Sequence, residues 1–285
     1  MVGTSANAGE LDVGAYLREV GLAQALEWEP TVRTLTRLQR AHLDAFAFAD
    51  VTTALGGVPR LDLATLEQRM VKEHRGGYCL EHVTLFAAVL EALGFACALR
   101  LGRVGDGSDE TRPATHLTVL AQPIDDGRRW LADVRFGLAP RGPLPVPQSP
   151  GTGVPVRYGG WEHRVDLGEN GRLSLLEPDE RRGWRTLHVS GGHDAADDEI
   201  SRSNRWVALE PDSPFAGQLI ALRSGDERRE RLVGTRFEVI AADGEPVVQE
   251  LSPSEATNTL EHRFGVTVDD HERAALLDLL ATSRR

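Results

Sequence analysis

The sequence is short of cysteine, of positive charge and of unbroken apolar stretches, and each shortage closes off a class of function. Two cysteines, Cys79 and Cys97, cannot build a disulfide framework in 285 residues. A net charge of −11 argues against non-specific binding to nucleic acid or to an anionic membrane. The longest apolar tract, 83–99, is interrupted by Glu91 and is too short to span a bilayer. Residues 1–9 have neither the basic region nor the apolar core of a signal peptide. A reducing, cytoplasmic setting is therefore expected, in which a thiol stays free to react.

What is present suffices for packed cores: 41% of residues are apolar and 26% charged. The length exceeds what one core usually serves, so two or three domains are expected. The first hundred residues read as helical. Asp12, Thr31 and Asp62 stand where helix caps belong, and Val32, Leu35, Leu38, Leu43 and Phe46 share one helical face. Cys79, Val83, Phe86, Leu90 and Leu93 recur at intervals of four and three, with Gly94 as the stop. From Phe95 the period changes to two. Strands are expected over 95–103, 114–121, 129–136, 161–167, 172–176 and 183–189, with a stiff Pro/Gly loop over 143–155, so a barrel or small sandwich fits. The tail mixes strand runs (217–223, 231–241, 246–251) with two capped helices, one opened by the capping box Ser252-Pro253-Ser254-Glu255.

Chemistry concentrates at Arg75-Gly76-Gly77-Tyr78-Cys79-Leu80-Glu81-His82. Gly-Gly lets the backbone turn sharply, and a thiol at the helix start that follows feels the positive end of the helix dipole, which favours the thiolate. Thr115-His116 begins one strand, and Asp133 sits inside the next apolar strand, 129–136. Adjacent antiparallel strands would set His116 beside Asp133, with the carboxylate accepting the Nδ1 proton. Cys79 and His82 lie one helical turn apart, as metal ligands can, but no second Cys/His pair completes a zinc set, and no metal is expected. Gly102, Gly105 and Gly107 do not make a dinucleotide fingerprint. The remaining histidines, His188 among them, and Cys97 read as core or surface residues.

These residues, taken in order, resemble the arylamine N-acetyltransferases: Arg75-Gly76-Gly77-Tyr78-Cys79-x-Glu81, then Thr115-His116, then Asp133-Val134-x-Phe136-Gly137, with His42, the Phe48 region and Ser213-Pro214-Phe215 extending the likeness over nearly the whole chain. The resemblance implies an α+β fold with a cysteine-proteinase-like Cys-His-Asp core. Its parts would be a helical domain (1–95), a β-barrel domain (96–205) and an α/β lid (206–285). Acetyl-CoA would be the co-substrate and a small aromatic amine or hydrazine the acceptor. Cys79 would be the nucleophile, His116 its base and Asp133 the orienter. Phe48, Thr115, Phe136 and Phe215 would bind the acceptor, and Gly137 would begin the cofactor loop. Arg135, beside that loop, is a candidate for a CoA phosphate.

Three departures from the family pattern accompany the match. Ala47-Phe48-Ala49-Asp50 stands for Pro-Phe-Glu-Asn, Val83 for an Asn, and Arg135-Phe136-Gly137-Leu138 for Gly-Phe-Gly-Gly. They keep open an amide synthase that takes a larger acyl thioester and a non-catalytic binding protein with a vestigial triad. A thiol hydrolase of transglutaminase or papain type shares the Cys-His-Asp order but not the Arg-Gly-Gly context. Oligomeric state leaves no mark in the sequence.

Overall fold

The computed structural model describes residues 11–109, 111–137 and 140–282. Leu138, one of the departures, lies outside them. The fold is α+β: a helical N-terminal part, an eight-stranded antiparallel sheet that curls into a nearly closed barrel, and a five-stranded antiparallel sheet backed by two helices.

The N-terminal part holds α1 (Val13–Glu19), α2 (Val32–Ala45), the two-residue strand β1 (Phe48–Ala49), the short helices α3 (Val51–Ala54) and α4 (Leu63–Leu66), and α5 (Cys79–Ala92). The Asp12, Thr31 and Asp62 side chains accept the N–H of Ala15, Thr34 and Thr65, so all three cap helices. A π-helical stretch, Glu67–Lys72, continues α4. Helix α5 buries Cys79, Val83, Phe86 and Leu90 together, as their spacing requires.

The barrel comprises β2 (Ala96–Val104), β3 (His116–Gln122), β4 (Trp130–Ala132), β5 (Leu144–Pro145), β6 (Val156–Tyr158), β7 (Trp161–Leu167), β8 (Leu173–Asp179) and β9 (Gly183–Ser190), in spatial order β5-β4-β3-β2-β9-β8-β7-β6. β3 is buried on both faces. Leu117, Val119 and Ala121 join the helical core, while Leu120 joins the barrel core of Leu131, Leu144, Val165, Leu173, Leu175 and Leu187. His116, in phase with Leu120, therefore belongs to the barrel-side set. β4 ends at Ala132, so Asp133 follows the strand rather than lying inside it.

Helix α6 (Asp197–Leu209) leads to the second sheet, β1-β10-β11-β12-β13, with β10 (Ile220–Ser224), β11 (Arg228–Val233), β12 (Arg236–Ala241) and β13 (Val247–Glu250). The run 231–241, expected as one strand, is the end of β11 and all of β12, folded back at Gly234. Helices α7 (Pro253–His262) and α8 (Asp270–Thr282) cover this sheet through Ala256, Leu260, Leu276 and Leu280. β1 comes from the N-terminal part yet pairs with β10 (Phe48 with Leu222, Ala49 with Ala221). No helix is long and apolar enough to cross a membrane among the described residues.

Candidate active site

Three features of the preceding turn place Cys79. Gly76 has φ +69°, and a Cβ there would stand 2.9 Å from the Ala49 Cβ, so the turn and the close approach to β1 both need glycine. Ala49 N–H donates to Gly77 O at 2.8 Å, which ties the turn to β1. Arg75 pairs with Glu272 and Asp269, which ties it to α8. The helix then opens at Tyr78, whose N–H donates to Glu81 Oε2 at 2.9 Å. Cys79 is its first residue, 4% exposed, with Sγ 3.6 Å from Thr115 O.

That proximity sets the orientation of His116. Nδ1 is the ring nitrogen nearer the backbone, and it is the one left for the thiol side. The distal Nε2 lies 2.7 Å from Asp133 Oδ2. The expected Nδ1–carboxylate contact is thus replaced by Nε2, because the cysteine approaches the histidine next to its main chain. Cys79 and His116 line the same cavity, so the thiol and the imidazole share surroundings. Burial pushes the His116 imidazolium down. The Asp133 carboxylate and then Cys79 more than reverse this, and its pKa rises to about 10.

Asp133 is fully buried and accepts four hydrogen bonds. Oδ1 takes the backbone N–H of Arg135 (3.1 Å) and Phe136 (2.9 Å), an Asx-type turn beyond the strand end. Oδ2 takes His116 Nε2–H and His188 Nε2–H, the latter at 3.0 Å. Burial raises its pKa, but the two histidines outweigh burial and hold the carboxyl well below the usual carboxylate range. His188 was expected to be a bland core or surface residue. It is instead a direct partner of the aspartate, with its ring 4.7 Å from that of His116. His116, Asp133 and His188 are also the set among the described residues whose ligand atoms cluster closely enough for a metal ion. Each Asp133 oxygen already accepts from two N–H groups, while His188 Nδ1 has no hydrogen-bond partner.

The cavity beside the thiol encloses about 850 Å³. Cys79, Thr115, His116, Phe48, Phe136, Gly137 and Phe215 all line it, with Trp206, Ile220 and Leu222 adding apolar wall and Arg229 and Arg231 charged groups. Phe215 and Phe48 stand 6.1 Å apart, ring to ring. Gly137 passes close to β10, where a Cβ would meet Leu222 Cδ1 at 2.6 Å. Asp133 stays behind His116, out of the cavity wall.

Two neighbours have hydrogen-bond partners of their own. Arg135 contributes to the wall but is only 3% exposed, and its Nη2 donates to Leu43 O of α2 at 3.1 Å. Burial and the nearby Arg223 and Arg141 depress it to about 9. A guanidinium held this way braces α2 from the cavity wall. His82 turns away from Cys79. Its Nε2–H donates to Ala47 O (3.2 Å), so Nδ1 accepts from His42 Nε2–H (2.8 Å). His42 Nδ1 in turn accepts from the Tyr16 hydroxyl (2.8 Å). The carbonyl end fixes every proton in this chain, leaving both imidazoles neutral. Val83, one turn from Cys79, is wholly buried in the helical core.

The comparisons with known proteins point the same way. The N-acetyltransferase family model matches residues 31–273. The arylamine N-acetyltransferase of Mycobacterium bovis is 29% identical over 276 residues, covering 93% of each chain. Among solved structures, the arylamine N-acetyltransferase of Nocardia farcinica superposes with a TM-score of 0.86 at 32% identity, over 96% of this chain and 97% of that one. The Mycobacterium marinum arylamine N-acetyltransferase in complex with CoA gives 0.82 at 26% identity, over 95% and 99%.

Proposed function

The chain belongs to the arylamine N-acetyltransferase family, and from that premise we propose that it moves an acetyl group from acetyl-CoA, through a thioester on Cys79, to an arylamine, arylhydrazine or related aromatic amine. The observation that carries this reading is His116, set between the Cys79 thiol and a buried, fully hydrogen-bonded Asp133 on the wall of a cavity rich in aromatic residues. The M. marinum relative seen with CoA supports the donor. The reading divides the labour among 1–95 (nucleophile), 96–205 (base and orienter) and 206–285 (cover), with Phe48, Thr115, Phe136 and Phe215 receiving the acceptor and Gly137 opening the cofactor loop. Two free thiols fit a reducing, cytoplasmic setting.

An ordinary thiol with pKa near 8.5 is only about 3% thiolate at pH 7. Lowering its pKa enlarges that fraction, but nucleophilicity falls with a Brønsted slope of roughly 0.45, so thiolate supply alone gains little. The greater benefit lies in the proton that His116 holds at neutral pH. In the first half-reaction the Cys79 sulfur attacks the acetyl carbonyl, and the imidazolium protonates the departing CoA thiolate. In the second, the amine attacks the thioester, neutral His116 takes its proton, and the Cys79 thiolate leaves. Asp133 keeps the Nε2 proton in place, so that Nδ1 is the working nitrogen in both.

Incubation with radiolabelled acetyl-CoA in the absence of amine tests the proposal. One acetyl group per chain is expected at Cys79, with release of free CoA and chase of the label onto an added aniline. Cys79→Ala should take up none. Label on another residue, or transfer undiminished in the alanine variant, overturns the reading.

A further inference from the structure

The geometry points to His188 as a positioning residue for the reaction: a second imidazole that clamps Asp133 Oδ2 and thereby fixes the orientation of His116. The inference rests on the functional reading above for its catalytic consequence, but its structural basis stands apart from it.

Two observations carry it. The first is the hydrogen-bond set. Asp133 accepts from His188 Nε2 at 3.0 Å on the same oxygen that receives His116 Nε2 at 2.7 Å. Without His188 that oxygen would have a single side-chain donor, and the carboxylate would be free to rotate toward or away from His116 about its remaining Oδ1 anchors. The second is the backbone that delivers the side chain. In β9, Leu175 of β8 pairs with His188 and Leu176 with Thr186, so the ladder skips Leu187. An extra residue in one strand is a β-bulge, which re-aims the side chains beside it. Its result here is that consecutive residues are both buried, Leu187 in the barrel core and His188 on Asp133. Strict alternation would send one of them to the outside.

The chemistry assigns His188 the role of donor and denies it that of base. An ionised Asp133 can only accept, so the His188 proton sits on Nε2. Its Nδ1 is buried with no hydrogen-bond partner in the structure. A second proton there would be an unpaired buried charge, and burial accordingly lowers the His188 pKa. The titratable groups that face it are His116 and Asp133. His188 thus stays neutral while His116 cycles between charged and neutral forms.

His188→Phe, His188→Gln and His188→Asn in the full-length protein test the proposal. Phe keeps the ring beside Phe136 and removes the donor, Gln carries an N–H at nearly the reach of Nε2, and Asn carries one that falls short. Two readouts are taken: the second-order rate of Cys79 alkylation by iodoacetamide from pH 5 to 9, and steady-state kcat and KM for acetyl-CoA. Loss of an orienting partner should cost Phe and Asn about tenfold in kcat, with KM changed less than about twofold. Gln should recover most of it with a pH profile superimposable on that of the wild type. Should Phe prove unstable in thermal melts, the Gln–Asn pair carries the same contrast. The inference is overturned if Phe and Asn alkylate and turn over like the wild type, if Gln is as impaired as Asn, or if Gln loses a limb of the pH profile, which would make His188 a base. Alkylation reports on the Cys79–His116 pair whatever the acyl donor, so a wild type that alkylates rapidly but fails to transfer acetyl would count against the proposed function and not against the clamp.

Discussion

His116 turns Nε2 to Asp133, at 2.7 Å, and leaves Nδ1 for Cys79. The donor on one side and the lone pair on the other are therefore coupled: whichever nitrogen Asp133 claims decides which one can take a proton from sulfur or from an amine.

Asp133→Asn follows from that coupling. Its oxygen can serve the two backbone N–H groups of Arg135 and Phe136 only by pointing its NH2 at two imidazoles. Each imidazole can accept it only by moving its own proton to Nδ1, and on His116 that proton then blocks the thiol. The variant should keep the far-UV dichroism of the wild type and lose about 10³- to 10⁴-fold in kcat. Near-normal turnover would remove Asp133 from the mechanism.

Glu81 gives a pH prediction of definite sign. Burial pushes it up to about 7, against the pull of the Tyr78 N–H and Arg69. The folded protein then holds this proton when the unfolded chain, titrating near ~4.3, has lost it, so stability falls as pH climbs from about 4 through 7. The effect is about 4 kcal/mol in size. Glu81→Gln keeps a carbonyl oxygen for the Tyr78 N–H and removes the titration. Urea unfolding at pH 5 and pH 8 should show a shallower loss in the variant than in the wild type, and an equal slope would refute the assignment.

Gly76→Ala forces a side chain into a left-handed φ and against Ala49. A loss of about 1–3 kcal/mol is expected in chemical denaturation. A variant as stable as the wild type would show that the turn relaxes without glycine.

Phe215→Ala removes an aromatic wall that stands 6.1 Å from Phe48 and 6.4 Å from Tyr78, ring to ring. If the ring packs on the acceptor, kcat/KM for an aniline should fall about tenfold or more, while iodoacetamide alkylation of Cys79 stays within about twofold. Equal losses in both would place the effect on the nucleophile instead.

The thiol, the histidine and the aspartate were legible because each carries a local signal: Gly-Gly before a helix start, a strand-opening histidine, an aspartate within an apolar run. Ring orientation was not, since it depends on how closely a helix 37 residues upstream packs against the His116 main chain. His188 was hidden for a different reason. Its inward aim comes from a skipped residue in the β8–β9 ladder, and period-two reading assumes none is skipped. Helix α6 escaped notice because two of its inward positions are polar: Ser203 and Asn204 are buried with Ile200 and Val207, bonded to Ala114 O and Pro59 O. The Arg135 contact with the end of α2 had no signal either, because its neighbours in sequence are site residues while this partner is distant in the chain.

Strand β1 has only two residues, yet its partner Leu222 is made long after Phe48. Asp50, the next residue, accepts the Ile220 N–H across 170 positions. During synthesis at roughly 5–20 residues per second, the segment that cradles the thiol must wait about ten to thirty seconds for the strand that secures it. The pairing that secures the thiol's cradle is thus a late contact, closed only in the last quarter of translation.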